Sequence, residues 1–351
     1  MNKRQFIKHC ALASSLLPFV TTSSTMASSA ALAPTQLLPG QLSPGDTVGL
    51  VSPSKATDHL LDIQIASEVM QALGLKVKVG ANLASRRGHL AGTDAERASD
   101  INTMFADNDV KAIICLRGGS GAARLLPLLD YSLIKAKPKI LLGYSDITAL
   151  HCAIAAKTGL VTFHGPNASG SWNSFHADQF RRLFFQRELM HYQNVLETKD
   201  ELVPRQNRTI TITGGKVEGE LIGGNLTVLT ALAGSPYLPD FSGKILFLED
   251  IEEAPYRIDR MLSTLKLMGA LDQIAGFIFG ECTDCEPGKG YGWLTMDQIF
   301  ADYIKPLNIP AYRGAMIGHV KQQFILPVGA RVALDADAGS FRLLQKVFQP
   351  G

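Results

Sequence analysis

A serine stands where an apolar, strand-like run changes into a helix-like segment. Residues 139–157 read KILLGYSDITALHCAIAAK, and Ser145 comes just after the apolar run. A serine on a strand-to-helix turn is typical of a nucleophile elbow, which lifts the hydroxyl above the sheet and points backbone N–H groups at a forming oxyanion. Because a hydroxyl is a weak nucleophile until a base takes its proton, the pattern predicts a histidine and an acid elsewhere.

Three histidines are candidates for that base. His151 comes six residues after the serine on the same predicted helix, so we expect it to point away from the elbow. His164 ends a predicted strand and is a candidate for the pocket wall. His319 follows a glycine after an apolar run in the second half of the chain, and position alone ranks it only slightly ahead.

The best candidate for the acid is Glu249, which ends the apolar run KILFL. A strand end is a rigid mounting of the kind that an orienting carboxylate needs. Glu218 and Glu220 in a glycine-rich stretch, and Glu281 at another strand end, are weaker candidates. A surface ion pair is the alternative interpretation for each of these carboxylates.

Short apolar runs alternate with amphipathic segments up to about residue 166. This alternation predicts parallel βαβ units, in which ligands bind at the carboxyl ends of the strands. We therefore predict an α/β fold with an amino-terminal parallel-sheet domain that carries the elbow, and a smaller, β-rich α+β carboxyl-terminal domain. The predicted boundaries are 41–166 and 209–351, with a linker or irregular connection at 167–208.

Residues 1–33 have the pattern of an export signal. A basic start with the twin-arginine-like run KRQFIK precedes an apolar middle and a tail of small residues. This predicts a cleaved signal peptide and a periplasmic location, with the cytoplasm as the weaker alternative. The whole chain has a net charge of +2, and this segment contributes three basic residues and no acidic one. Without it the chain has 31 basic and 32 acidic residues.

The near balance of basic and acidic residues gives no electrostatic footprint for nucleic acid or for an anionic membrane, so a small molecule is the expected partner.

Cys282 and Cys285 form a CxxC motif without a second ligand pair, so we expect no metal and no cofactor. A local disulfide and an inert loop pair both remain open for these cysteines.

Short motifs along the chain resemble those of one enzyme family. They are RGGSG (117–121), GYSDITAL (143–150), HGP (164–166), GELIGGNL (219–226), LED (248–250), and GH (318–319) followed by LPVG (326–329). In this order and spacing the chain is similar to the LD-carboxypeptidase family of serine peptidases over about residues 41–345.

The resemblance implies hydrolysis of the bond before the terminal D-alanine of murein tetrapeptides by a Ser–Glu–His triad. Carried over by motif, the triad is Ser145, Glu249 and His319, and a homodimer is implied as well. The chain departs from familiar patterns in two ways. Ile147 replaces the second glycine of G-x-S-x-G, as in the family, and the export signal differs from well-known cytoplasmic members, which leaves the physiological substrate open.

Several residues are expected around this triad. The backbone N–H groups of Asp146 and Gly119 are the predicted oxyanion donors, and Gly118 lets the backbone approach the substrate closely. Arg117 and Asn225 are candidates for binding polar groups of the substrate, including its terminal carboxylate. A structural ion pair for Arg117 and a turn contact for Asn225 are the alternatives.

Three other functions stay open at this stage. Some members of the family cleave peptide-nucleotide antibiotics of the microcin C type, which an aromatic side chain at the cleft would favour; Trp172 is the candidate. A non-catalytic protein that binds muropeptides is the second alternative, and an unrelated α/β sugar-binding protein is the third.

Overall fold

Two β-sheets, flanked by helices, form the architecture of the protein. The computed structural model describes residues 36–196, 202–286 and 292–350, so the predicted signal peptide lies outside the described residues. Across the described segments, no helix combines the length and apolar character needed to cross a membrane.

The first sheet is built mainly from the amino-terminal half of the chain. Its strands there are β1 (Thr47–Val51), β2 (Lys76–Val79), β3 (Val110–Cys115), β4 (Ile140–Gly143) and β5 (Thr162–His164). They run parallel in the order β5-β4-β3-β1-β2. All of β4 and most of β3 are buried, as expected for parallel strands covered on both faces.

Four helices connect these strands: α1 (Leu60–Ala72), α2 (Asp94–Ala106), α3 (Tyr131–Ala136) and α4 (Thr148–Thr158). Local sequence explains where some of them begin and end. Thr93 and Glu96 form a capping box at the start of α2, and Gly159 ends α4 with a φ of 73°. The predicted parallel βαβ arrangement is confirmed.

The rest of the chain forms α5 (Ser174–Phe180), β6 (His191–Gln193), β7 (Ile210–Thr213), β8 (Lys216–Asn225), α6 (Leu226–Ala231), β9 (Ile245–Ile251), α7 (Pro255–Leu267), β10 (Gly276–Thr283), α8 (Met296–Tyr303), β11 (Ala311–Arg313), β12 (Leu326–Val328), β13 (Arg331–Asp335) and β14 (Ser340–Leu343).

Most of these strands make up a second, mixed sheet in the order β6-β14-β13-β8-β9-β10-β11-β7. Its central strands β8 to β11 are parallel, and antiparallel strands flank them on both sides. β12 instead pairs antiparallel with β5 and so completes the first sheet from the far end of the chain. The predicted fold class is confirmed.

Residues 167–208 differ from the expected linker or irregular connection. They contain α5, a π-helical turn at Arg181–Phe185, and β6, which joins the second sheet beside β14. Apolar side chains explain the difference, since Phe180 and Phe184 are fully buried against the core.

Apolar side chains from both sheets share the same core. Leu142 and Phe163 of the first sheet belong to one buried cluster with Phe247 and Ile278 of the second. The helix after the elbow also packs against the second sheet, because the N–H of Asn225 donates to Thr148 Oγ1 over 2.9 Å. This shared packing holds the carboxyl end of β4 next to the carboxyl ends of β8 and β9.

We predict that Phe184→Ala destabilises the whole fold although it lies in the segment expected to be a linker. The ring centroid of Phe184 lies 4.8 Å from Phe163 and 4.6 Å from Phe180. Removing a buried phenylalanine costs about 3–5 kcal/mol, measurable as a lower free energy of unfolding in urea. The half-exposed Leu189→Ala in the same segment is the control; equal losses in the two variants would contradict the prediction.

Candidate active site

Ser145 occupies a strained turn between β4 and α4. Its φ is 65°, in the left-handed region that non-glycine residues rarely adopt. A short 3-10 turn, Ser145–Ile147, leads directly into α4. The expected elbow geometry is therefore present, with the serine at the carboxyl end of a buried strand.

Neighbouring loops hold this turn in place. The Asp146 carboxylate is buried and accepts the N–H of Ala122 over 2.8 Å, which ties the elbow to the loop after β3. The N–H of Tyr144 donates to Asn167 Oδ1 over 3.3 Å. Contacts on both sides of the serine thus offset the strain of its backbone.

The glycine loop after β3 passes directly beside the serine. A Cβ on Gly118 would lie 2.9 Å from Ser145 Cβ and 3.1 Å from its Oγ, so a side chain there would collide with the hydroxyl. Gly119 has a φ of 119° and lies against Lys55. Among the described residues, no acceptor receives the N–H of Gly119 or that of Asp146.

Glu249 and His319 meet at the end of β9. His319 Nδ1 donates to Glu249 Oε2 over 2.9 Å. Glu249 is fully buried, and its other oxygen has no hydrogen-bond partner among the described residues. Gly318 permits the contact, because a Cβ at this residue, whose φ is 107°, would lie 2.6 Å from Glu249 Oε2.

Ser145 and His319 line one cavity of about 250 Å³. The described residues that line it are Lys55, Arg117, Gly118, Gly119, Tyr144, Ser145, Asn167, Ser169, Gly170 and His319. Within the described segments, no hydrogen bond joins the serine to the histidine. Such contacts are often long in unliganded enzymes and shorten only when substrate binds.

Three cations share one carboxylate at the mouth of this cavity. Asp58 lies 3.4 Å from Arg117, 3.7 Å from Arg86 and 3.9 Å from Lys55. Asp62 also interacts with Arg117, so two carboxylates accompany the three cations and an excess of positive charge remains. Lys55 and Arg117 also line the cavity, which suits an anionic group on a ligand.

Asn225 is placed differently from the other candidates. It is buried, it is absent from the cavity wall, and its Oδ1 caps α6 by accepting the N–H of Val228. Its Nδ2 donates to Asp250 Oδ1 over 2.9 Å. Burial is the main cause that raises the pKa of Asp250 to about 6. The polar groups of Asn225 are thus used within the protein.

None of the weaker candidates for the acid hydrogen-bonds to His319 among the described residues. Glu218 contacts Arg331 at 3.5 Å and Glu220 contacts Lys244 at 2.7 Å. Glu281 lies on β10, where burial raises its pKa. In the described part of the chain, no group of three or more histidine, cysteine, aspartate or glutamate side chains is arranged to hold a metal ion.

Two other histidines lie behind the elbow. His151 is fully buried and bonds to Gly143 O and Thr162 Oγ1, away from the cavity as expected. His164 is also fully buried and does not line the cavity; both its ring nitrogens lack hydrogen-bond partners among the described residues. Burial holds the pKa of His164 well below its ordinary value and lowers that of His151 to about 4.

Sequence reasoning missed Lys55, Tyr144 and Asn167. The Tyr144 ring centroid lies 4.8 Å from that of His319, and burial raises the pKa of its hydroxyl. Lys55 follows the carboxyl end of β1. Ligands bind at this edge of a parallel sheet, so its position in the sequence could have identified Lys55 as a candidate. The disulfide left open by the sequence is formed between Cys282 and Cys285.

We predict that His164→Leu makes the fold less sensitive to acid. When a histidine has a lower pKa in the folded state than in the unfolded state, the unfolded chain binds the proton first as the pH falls. The free energy of unfolding is therefore highest above the unfolded pKa of about 6.5 and decreases below that pH. At pH 7 the variant should stay within about 1 kcal/mol of wild type or exceed it, because two unsatisfied nitrogens are removed. As the pH falls below about 6.5, the unfolding free energy of the variant should fall less than that of wild type.

Urea titrations at several pH values measure this difference. His191→Leu, which changes an exposed histidine, is the control and should follow the wild-type curve. An identical loss of stability in wild type and His164→Leu would contradict the prediction.

Two family models match most of this chain. A family model described as the LD-carboxypeptidase N-terminal domain matches residues 48–165, and one described as the LD-carboxypeptidase C-terminal domain matches residues 218–334. The chain is similar to a probable murein peptide carboxypeptidase of Bacillus subtilis, at 42% identity over 85% of this chain and 91% of the relative.

Two further relatives carry different names. The microcin C7 self-immunity protein MccF of Escherichia coli is 32% identical over 86% of this chain and 94% of its own. The crystal structure of muramoyltetrapeptide carboxypeptidase from Oxalobacter formigenes is 30% identical, with a TM-score of 0.72 over 85% of this chain and 97% of that one. The chain therefore belongs to the LD-carboxypeptidase family of peptidases.

Proposed function

We propose that this protein is a serine LD-carboxypeptidase that releases the terminal D-alanine from murein tetrapeptides through an acyl-enzyme. One observation carries the proposal: an elbow serine shares a cavity with an imidazole whose Nδ1 is held by a buried carboxylate. The names of the Bacillus subtilis and Oxalobacter formigenes relatives support the substrate class.

In the proposed first step, Ser145 Oγ attacks the peptide carbonyl and His319 Nε2 takes its proton. Glu249 holds His319 in the tautomer that leaves Nε2 free to accept, and it stabilises the imidazolium that forms. The uncommitted N–H groups of Gly119 and Asp146 are the proposed donors to the oxyanion. One such donor contributes about 3 kcal/mol of transition-state stabilisation.

In the second step, the imidazolium returns the proton to the leaving D-alanine amine. Water then enters, His319 deprotonates it, and hydrolysis of the ester frees Ser145. The proton that Ser145 loses thus leaves with D-alanine, and the proton that restores its hydroxyl comes from water by way of His319.

Lys55 and Arg117 are proposed to bind the terminal carboxylate of the substrate. Both line the cavity that contains Ser145, and they share Asp58 as counter-ion. Arg117 is the stronger candidate because its side chain is 29% exposed, against 42% for Lys55, and a less hydrated cation interacts more strongly.

We predict that Arg117→Gln lowers kcat/KM for a tetrapeptide with a free carboxyl terminus by about tenfold to a hundredfold, since a hydrogen bond to a charged group contributes about 1.5–3 kcal/mol. On a tetrapeptide with an amidated terminus, which offers no carboxylate to Arg117, kcat/KM of Arg117→Gln should differ little from that of wild type. Arg86→Gln, which also removes a contact of Asp58 but does not line the cavity, is the control. If both substrates lose activity equally, Arg117 does not recognise the carboxylate.

We predict that Ser145→Ala and His319→Gln each reduce D-alanine release from free murein tetrapeptide by at least about 10⁴-fold, because triad members act as a unit. Glu249→Gln should also lose most of its activity. Chromatographic detection of free D-alanine measures the reaction. Glu218→Gln, an exposed glutamate paired with Arg331, is the matched control and should keep wild-type activity.

Equal release by wild type and Ser145→Ala would refute the serine mechanism. Tight tetrapeptide binding without release by wild type would instead favour a muropeptide-binding protein. Hydrolysis of an aminoacyl sulfamoyl nucleotide in preference to tetrapeptide would favour an activity of the microcin immunity type. Against that last alternative, the indole N–H of Trp172 donates to Asn167 O over 3.0 Å, and Trp172 is absent from the described cavity wall.

We also propose that the protein is exported to the periplasm and acts there as a homodimer. The signal-like residues 1–33 support export. The Cys282–Cys285 disulfide supports it too, since disulfides persist mainly in oxidising compartments. The dimer rests on the family resemblance alone, and its test is the mass in solution.

A further inference from the structure

The carboxyl end of β10 contacts both the strand of Glu249 and the loop of His319. β10 runs parallel to β9, with Thr283 in register with Ile251. Thr283 O accepts the N–H of Glu252 over 2.8 Å. Thr283 Oγ1 donates to the backbone carbonyl of His319 over 3.0 Å. One residue thus links the end of β9 to the backbone of His319.

The disulfide closes a turn around this threonine. Cys282 and Cys285 are bonded with a Cα–Cα distance of 5.4 Å, and Thr283 lies between them. Cys285 Sγ contacts the Thr283 carbonyl at 3.6 Å. Asp284 has a φ of 54°, a left-handed conformation that costs free energy and persists only where the surrounding structure imposes it. The cross-link supplies such a constraint.

A second contact shows that this strand end guides the whole loop before the histidine. The N–H of Glu281 donates to Ile317 O over 3.1 Å, two residues ahead of His319. A Cβ on Gly280 would lie 2.3 Å from that same carbonyl oxygen, so strand and loop are in close contact. A displacement of β10 at its end would therefore move the imidazole relative to Glu249.

We propose that the disulfide-closed turn Cys282–Cys285 positions His319 through Thr283, so that reduction of this disulfide lowers turnover. The inference rests on the proposed serine mechanism, and it assigns Thr283 as a positioning residue that does not touch substrate. Both cysteines are partly exposed, which leaves the bond open to a small dithiol.

The redox step balances with a dithiol as the reductant. One thiolate of the dithiol attacks Cys282 or Cys285, the S–S bond breaks, and the second thiol of the dithiol closes its own disulfide. Two electrons and two protons pass to the protein, which ends with two cysteine thiols. Cys115 and Cys152 are buried and already reduced, so the treatment leaves them unchanged.

The test compares Thr283→Val with Thr283→Ser in the otherwise unaltered protein. Valine keeps the shape of threonine and removes its hydroxyl, whereas serine keeps the hydroxyl. We expect kcat for D-alanine release to fall about tenfold in Thr283→Val, which corresponds to about 1.4 kcal/mol, with KM little changed. Thr283→Ser should restore most of kcat, which a purely steric role would not explain.

A second arm tests the disulfide itself. Dithiothreitol should lower kcat of the wild type several-fold, and the double variant Cys282→Ala/Cys285→Ala should show the lower kcat with or without dithiothreitol. Proton NMR of the His319 Nδ1–H provides a readout that needs no substrate. Its resonance should shift in Thr283→Val and on reduction, and stay near its wild-type position in Thr283→Ser.

Each result decides a separate question. Unchanged kcat and an unchanged Nδ1–H resonance in Thr283→Val would overturn the positioning role. An effect of Thr283→Val without any effect of reduction would overturn the role of the disulfide. If the wild type released no D-alanine, the proposed function would fail, and the NMR comparison would still decide whether the turn positions the imidazole.

Discussion

The buried contact between Glu249 and His319 is the interaction on which the rest of the site depends. A carboxylate removed from water carries a desolvation cost of several kcal/mol unless a partner offsets it. Here one oxygen bonds to the imidazole, and the other has no partner among the described residues. The charge of Glu249 is therefore directed at His319, and the fold must hold the two side chains together.

Several features of the architecture serve this requirement. β9 is almost entirely buried, so Glu249 stands on a rigid strand, and Gly318 leaves room for its carboxylate. Ser145, the proposed nucleophile, comes from the other sheet, at the end of β4. Two buried clusters, each with apolar side chains from both sheets, fix the position of Ser145 relative to Glu249. Packing thus sets the geometry between two chain segments that are far apart in sequence.

Burial also separates the charges of the site by role. The cations Lys55 and Arg117 stay partly hydrated at the cavity rim, where they can meet an anionic ligand. The carboxylate lies behind the imidazole and is sealed from water. Burial lowers the pKa of His151 and of His164, so their rings stay neutral and pack behind the elbow.

The sequence by itself determined the elbow, the parallel βαβ order and the motifs of the family, because these are patterns among residues adjacent in the chain. Only the tertiary structure decided which polar residues face the cavity. It assigned Asn225 to a helix cap, brought Lys55 and Arg117 to one carboxylate, and packed Phe180 and Phe184 of the expected linker into the core. These placements depend on contacts between segments that are distant in the chain, such as the pairing of β12 with β5. Local sequence patterns do not predict such contacts.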